Sequence, residues 1–304
     1  FQVQPHGTPA DGNPAAGLEI WDPHVHLLPP ARTAGLVRWI KRIFPEHPSR
    51  EDMTEPEVLA ELRANGAVRV FNLVFPLKED ETEPLNDFSR SLALRHPCVV
   101  PFGSMHILTP RKDEAAERCI LEYGLAGIKL HPYVQGFEAF CPEFEPLFKK
   151  LNALGRPLLV HTGFDLFYRR KTDVVYMEGV LERYPDMPVV LVHSLFPRFG
   201  LARQLAERYS QLYLDMTNAV SSVRYHRELA DPGLEGGELE ENLEDFYSLL
   251  SGMSHRVMFG TDHPAGMGSL ERIYHDLFSL ELPRKSLENL LGGTARRFYQ
   301  AHCA

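Results

Sequence analysis

The sequence predicts an α/β fold, a single-domain (β/α)8 TIM barrel with a lid-like insertion after the first strand. Three observations carry this expectation. Short runs rich in Val, Leu, Ile and Phe recur along the chain, as parallel strands buried on both faces require. Longer amphipathic segments alternate with them, and right-handed crossovers would place each one outside the sheet. Polar groups able to bind a metal end several of the runs, where a barrel gathers its site.

In chain order, residues 1–17 hold Pro5, Gly7, Pro9, Gly12, Pro14 and Gly17 with almost no large apolar side chains. They cannot bury enough surface to offset chain entropy and are expected to form a flexible tail, leaving 18–304 as the barrel domain. Candidate strands follow at Glu19–Asp22, Val68–Phe75, Val99–Met105, Ala126–Leu130, Pro157–His161, Val189–His193, Leu212–Met216 and Val257–Gly260. Helix-like segments lie at Glu55–Asn65, Glu83–Arg95, Asp113–Tyr123, Pro142–Leu154, Val175–Tyr184, Gly200–Tyr209, Leu239–Leu250 and Ser269–Leu280. Gly66, Gly124, Gly155 and Gly252, or Pro97, Pro185 and Pro283, stand where helices stop. The stretch from Leu27 to Met53 is long for a strand–helix connection. Its Leu36-Val37-Arg38-Trp39-Ile40 and Ile43-Phe44 fall at helical spacing and predict a short amphipathic helix over the mouth, a lid or a subunit contact. A doubly wound open sheet is the competing fold, but neither Gly-x-Gly-x-x-Gly nor Gly-x-x-x-x-Gly-Lys-Ser/Thr is present.

Composition narrows the function. A net charge of -9 disfavours general nucleic-acid binding, because neutralising phosphates takes a basic surface. No apolar run approaches the roughly 20 residues that span a bilayer, and no basic-then-apolar signal segment opens the chain, so no membrane partner is expected. Cys98, Cys119, Cys141 and Cys303 are widely spaced without a Cys-x-x-Cys pair. They read as reduced thiols of a cytoplasmic protein.

The chemistry begins at Ile20-Trp21-Asp22-Pro23-His24-Val25-His26. Histidines two apart on an extended strand put both imidazoles on one face, half of a metal site. Further strands end in Lys129 and His131, in His161, in His193 and in Gly260-Thr261-Asp262-His263-Pro264. Each has an ordinary explanation alone: His193 as a hydrogen-bonded structural residue, Asp262 as a helix cap. Together they would leave unpaired polar groups against a core unless something binds them.

This order of His-x-His, Lys, His, His and Asp at successive strand ends resembles the amidohydrolase superfamily of metal-dependent hydrolases. Trp21–His26, Gly127–Pro132, Leu159–Gly163, Val190–Ser194, Phe259–Pro264 and Gly292–Phe298 are closer still to its branch that also holds aminocarboxymuconate-semialdehyde decarboxylase. The resemblance implies that His24, His26, His161 and Asp262 hold one divalent metal, with Asp262 also taking a proton from bound water. It makes His193 a ligand of a second metal or a base beside the first. It leaves Lys129 open between a carboxylated lysine bridging two metals and a buried lysine paired with a carboxylate. His131 would face substrate.

Imidazole and carboxylate ligands with an open position describe a catalytic site for zinc, with manganese or iron also admitted. Hydrolysis of an amide, lactone or ester is the first expectation. Decarboxylation, or hydration, of an aromatic or unsaturated carboxylate is the alternative. Arg169 beside Arg170 and Lys171, then Arg198 and Arg224, follow strands on the site side and suit a small carboxylated or phosphorylated substrate, unless they are solvated loop charges. Apolar loops of the insertion make a homodimer compatible with the sequence. A binding-only barrel would require a missing ligand, and none of the expected set is missing.

Overall fold

The structure is a computed structural model that describes residues 17–165, 167–171, 175–229 and 237–304. The expected tail, Gly17 apart, lies outside the described residues. Among the described residues nine short strands run in parallel: β1 Ile20–Val25, β2 Ala67–Asn72, β3 Val99–Pro101, β4 Gly103–Ser104, β5 Ile128–Leu130, β6 Leu158–His161, β7 Val189–Val192, β8 Leu212–Asp215 and β9 Val257–Met258. They pair in sequence order, β1 to β3 in one sheet and β4 to β9 in another. β3 and β4 are the halves of one expected strand, parted at Phe102, whose N–H donates to Asn72 O at 3.1 Å. The outer edges meet as well, since Asp262 N–H donates to His24 O and His26 N–H to His263 O, both at 2.9 Å. Asp22 reinforces this seam by accepting from Thr261 N and Oγ1 at 3.1 and 2.6 Å. The architecture is the α/β TIM barrel expected from the sequence.

Around the strands lie α1 Pro30–Ile40, α2 Glu55–Ala64, α3 Thr82–Arg95, α4 Lys112–Glu117, α5 Pro132–Gln135, α6 Glu145–Leu154 and α7 Met177–Arg183. They continue with α8 Phe199–Arg208, α9 Ala219–Leu229, α10 Glu238–Glu241, α11 Leu243–Ser251, α12 Leu270–Phe278, α13 Arg284–Glu288 and α14 Thr294–His302. Four of these fall outside the expected helices, the short α5 and α13 as well as α9 and α14. Among its described side chains α9 buries only Ala219, Val220 and Val223 as apolar residues amid Ser221, Ser222, Arg224 and His226, too sparse a stripe to register as a helical period. α14 buries Ala295 and Phe298 in one cluster with Trp21, Phe71, Phe102 and Met258, and so closes the barrel interior. Among the described residues no helix is long and apolar enough to cross a membrane, and all four cysteines are free.

Strand alternation decides which side chains reach the interior. On β5, Ile128 and Leu130 pack in the outer cluster while Lys129 lies between them. On β6, Leu158 and Val160 pack outward, and Leu159 joins the interior cluster two residues before His161. On β1 the phase slips. Trp21 belongs to the interior cluster and Val25 to the outer one, and the pairing with β2 shifts register between Asp22 and Val25, around Pro23. Proline cannot donate to a ladder and is confined to such irregularities. The slip turns His24 and His26 inward on the same strand as Trp21.

Candidate metal centre and active site

Three imidazoles are oriented by their Nδ1 atoms. His24 Nδ1 lies 2.8 Å from Asp215 Oδ2, His26 Nδ1 2.6 Å from Leu73 O, and His193 Nδ1 2.6 Å from Thr217 O. Each neighbour is an acceptor, so each Nδ1 carries the proton and donates. Burial pushes the pKa of His24 well below its ordinary value and lowers that of His193, against the pull of Asp262, so both rings are neutral with a lone pair on Nε2.

Those lone pairs converge. One ligand atom each from His24, His193 and Asp262 lie within 4.8 Å of one another, all buried. His24 Nε2 and His26 Nε2 are 3.3 Å apart, and Asp262 Oδ1 is 3.3 Å from the first and 2.9 Å from the second. Neutral rings would set acceptor against acceptor here, an arrangement that a cation among them resolves. Metal–nitrogen bonds of about 2.0–2.1 Å put tetrahedral neighbours roughly 3.3 Å apart, so these side chains fit a divalent ion. Asn218 Nδ2 donates to Asp262 Oδ2 at 2.5 Å and leaves Oδ1 to the cluster. Burial alone would raise the pKa of Asp262, yet the imidazoles of His24, His26 and His193 hold its carboxyl below the usual carboxylate range. His193, Asn218 and Asp262 all have φ near +60°. Such backbone costs about 1–3 kcal/mol per residue and clusters at functional sites.

The remaining expected residues surround this cluster. His161 meets His193 edge-on with centroids 4.4 Å apart, and its Nε2 lies 3.2 Å from Asp165 Oδ2. His131 stacks on His161 at 3.9 Å, and its buried Nδ1 has no hydrogen-bond partner. Lys129 is fully buried, its Nζ without a hydrogen-bond partner, and burial pulls its pKa down to about 8 against Asp215 and Asp262.

A cavity of about 490 Å³ opens above the cluster. His131 lines it, but among the described residues Arg169, Arg198 and Arg224 do not. Arg169 is exposed, and Arg224 Nε lies 2.8 Å from buried Asp276. Among the described residues the cation in the wall is Arg32 of α1, from the insertion and not from the later loops to which the sequence assigns the charge. Sequence reasoning also passes over Asp215, Asp165 and Asn218. Asp215 ends an apolar strand just as His161 does, and the strand-end rule applied evenly finds it. Asp165 and Asn218 sit in loops and have no comparable signal. Burial pushes Asp165 up to about 6, although Phe167 and Tyr168 donate their N–H groups to Oδ1.

The family model described as Amidohydrolase matches residues 21–301. A 2-amino-3-carboxymuconate-6-semialdehyde decarboxylase of Dictyostelium discoideum is 24% identical over 242 residues, which cover 72% of this chain. The match spans 66% of that relative's length, just under two thirds. An uncharacterised TIM-barrel protein of Bordetella bronchiseptica superposes with a TM-score of 0.70 at 22% identity, covering 93% of this chain and 99% of its own. A dihydroxybenzoic acid decarboxylase of Polaromonas sp. JS666, solved with manganese and the inhibitor 2-nitroresorcinol, superposes at 0.65 with 13% identity, covering 92% and 97%. These likenesses in structure concern the fold.

Proposed function

The chain belongs to the amidohydrolase family, and from that premise we propose that it is a metal-dependent decarboxylase of an aromatic or unsaturated carboxylate. The observation that carries this reading is the placement of the His24–His193–Asp262 cluster at one end of a cavity walled by Trp39, Phe44, Phe75, Phe167 and Phe196. Such walls receive a planar apolar body, while the polar end receives its carboxylate. Decarboxylase relatives in the comparisons add support by analogy.

His24, His26, His161 and Asp262 would hold a divalent ion, zinc or manganese, with His193 beside them. When bound, that ion supplies Lewis-acid stabilisation of oxygen anions. In the reaction the bond from carbon to carboxylate breaks, the electron pair stays on carbon, that carbon takes a proton and carbon dioxide leaves. His193 suits the proton's custody, because Thr217 fixes its tautomer and leaves Nε2 free to carry it. His131 lines the approach and Phe75 packs edge-on against His26 at 5.2 Å, keeping water from that face. Hydrolysis is the second reading, favoured by Asp262, whose Oδ1 is turned into the cluster to accept a proton.

The test is carbon dioxide release from a panel of aromatic and unsaturated carboxylates, set against turnover of lactones, esters and amides. The expected protein carries about one equivalent of metal, with Lys129 an unmodified buried lysine. His193→Asn is expected to lower kcat by roughly 10²- to 10⁴-fold. Turnover of lactones or amides, with none of the carboxylates, would replace this reading with the hydrolytic one.

A further inference from the structure

The cavity is larger than a single-ring substrate needs. At about 490 Å³ it is roughly three times the ~150 Å³ apolar cavity that accommodates one benzene. Its far wall is built by the insertion after β1. Leu36 and Trp39 of α1, with Phe44 beyond it, line the cavity together with Phe167, Phe196 and Met267. Trp39 stacks on Phe167 with centroids 4.2 Å apart and planes 22° from parallel, and Phe44 meets Phe167 edge-on at 6.3 Å. The insertion is pinned from behind, where His47 Nε2 donates to Gly266 O at 2.7 Å and Ser49 Oγ to Pro264 O at 2.8 Å.

Charge in this wall is already matched. Among the described residues Arg32 is the one lysine or arginine lining the cavity. Its Nη1 donates to Glu81 Oε2 at 2.6 Å and its Nη2 to Phe75 O at 2.9 Å, and its guanidinium lies over the Phe75 ring. A second carboxylate in the cavity would be desolvated against aromatic rings with no unengaged lysine or arginine among the described residues to meet it.

From volume, lining and charge together we propose that the substrate is a monocarboxylate with a bulky apolar body of two or more rings. Its apolar part lies under α1 against Trp39 and Phe167. The carboxylate end rests on the decarboxylase reading above, whereas the apolar end stands on the cavity alone.

Calorimetric titration of the zinc-loaded protein with benzoate, naphthalene-2-carboxylate and naphthalene-2,6-dicarboxylate tests this. The second ring is expected to tighten binding roughly tenfold over benzoate through added apolar burial, and the dicarboxylate to bind more weakly than the naphthalene monocarboxylate. Gly35 lines the same cavity, and a Cβ there would meet nothing within 4 Å. Gly35→Leu is therefore expected to weaken the naphthalene monocarboxylate about tenfold while moving benzoate less than about twofold. Ala31→Leu, on the same helix and lining the same cavity, repeats the test if the first variant fails to fold by circular dichroism. Equal affinity for the one-ring and two-ring acids, no binding of the latter, a tighter dicarboxylate, or filled variants that bind as the wild type would each overturn the proposal. If the ring preference holds but no carboxylate of the panel releases carbon dioxide, the decarboxylase reading falls and the bulky apolar substrate stands. If carbon dioxide is released without any ring preference, the reverse follows.

Discussion

Asp215 governs how the first strand presents its histidine. Its Oδ2 lies 2.8 Å from His24 Nδ1, while its Oδ1 accepts from Thr217 N at 2.8 Å and from Thr217 Oγ1 at 2.5 Å. The carboxylate is thus fixed before the imidazole meets it, and a fixed acceptor on Nδ1 makes Nε2 the basic nitrogen that faces the cluster. Asp215→Asn keeps the shape and removes the charge. The neutral amide can also turn its NH2 toward Nδ1, favouring the wrong tautomer. Metal affinity measured by competition with a chromogenic chelator is expected to fall roughly 10- to 100-fold. An unchanged affinity would mean that His24 needs no such orientation. Ser194 Oγ, which donates to Asp215 O at 2.9 Å, links the same residue to the turn that carries His193.

Elements meet so closely at some points that a single carbon decides their packing. At Gly127, just before β5, a Cβ would stand 2.4 Å from Pro157 O and 2.7 Å from Pro157 Cγ, and 3.0 Å from Phe102 between β3 and β4. Gly127→Ala must therefore push β5 and β6 apart exactly where Ile128 N–H donates to Pro157 O at 3.0 Å. The expected cost is about 1–3 kcal/mol, as for other overpacked interiors, read as a lower midpoint in urea unfolding. A midpoint equal to the wild type would show that the strands can separate there freely. The strands themselves were legible because burial on both faces demands unbroken apolar runs, and Val189–Val192 or Leu158–His161 offer them plainly. α9 was not, because a helix that covers a polar cavity rim needs few apolar residues. The candidate site was legible in its strand-end histidines and Asp262, since a spacing of two puts His24 and His26 on one face and the apolar runs mark where the strands end. Arg32, Asp165 and Asn218 were not, because their places depend on how α1 and two loops fold back over the mouth, which no local period encodes.

For the whole molecule, the seam between the first and last strands is also the floor of the site. His24 comes from β1, and Asp262 follows β9. The backbone bonds between His24 and Asp262 and between His26 and His263, with Asp22 held on Thr261, close the ring of strands through protein groups alone. A divalent ion held by His24, His26 and Asp262 would bind the folded ring and not the separated strands, so its binding energy adds to global stability. At a free-ion concentration 100 times the dissociation constant that addition is about 2.7 kcal/mol, enough to raise Tm by roughly 5 °C in a chain of this size. Chelation is expected to lower Tm by about that amount while the far-ultraviolet circular dichroism stays the same, because the seam bonds and the Trp21–Phe71–Phe298 interior remain. Loss of the ordered signal on chelation would make the ion a structural clamp, whereas an unchanged Tm with the metal demonstrably removed would mean that His24 and Asp262 do not share it.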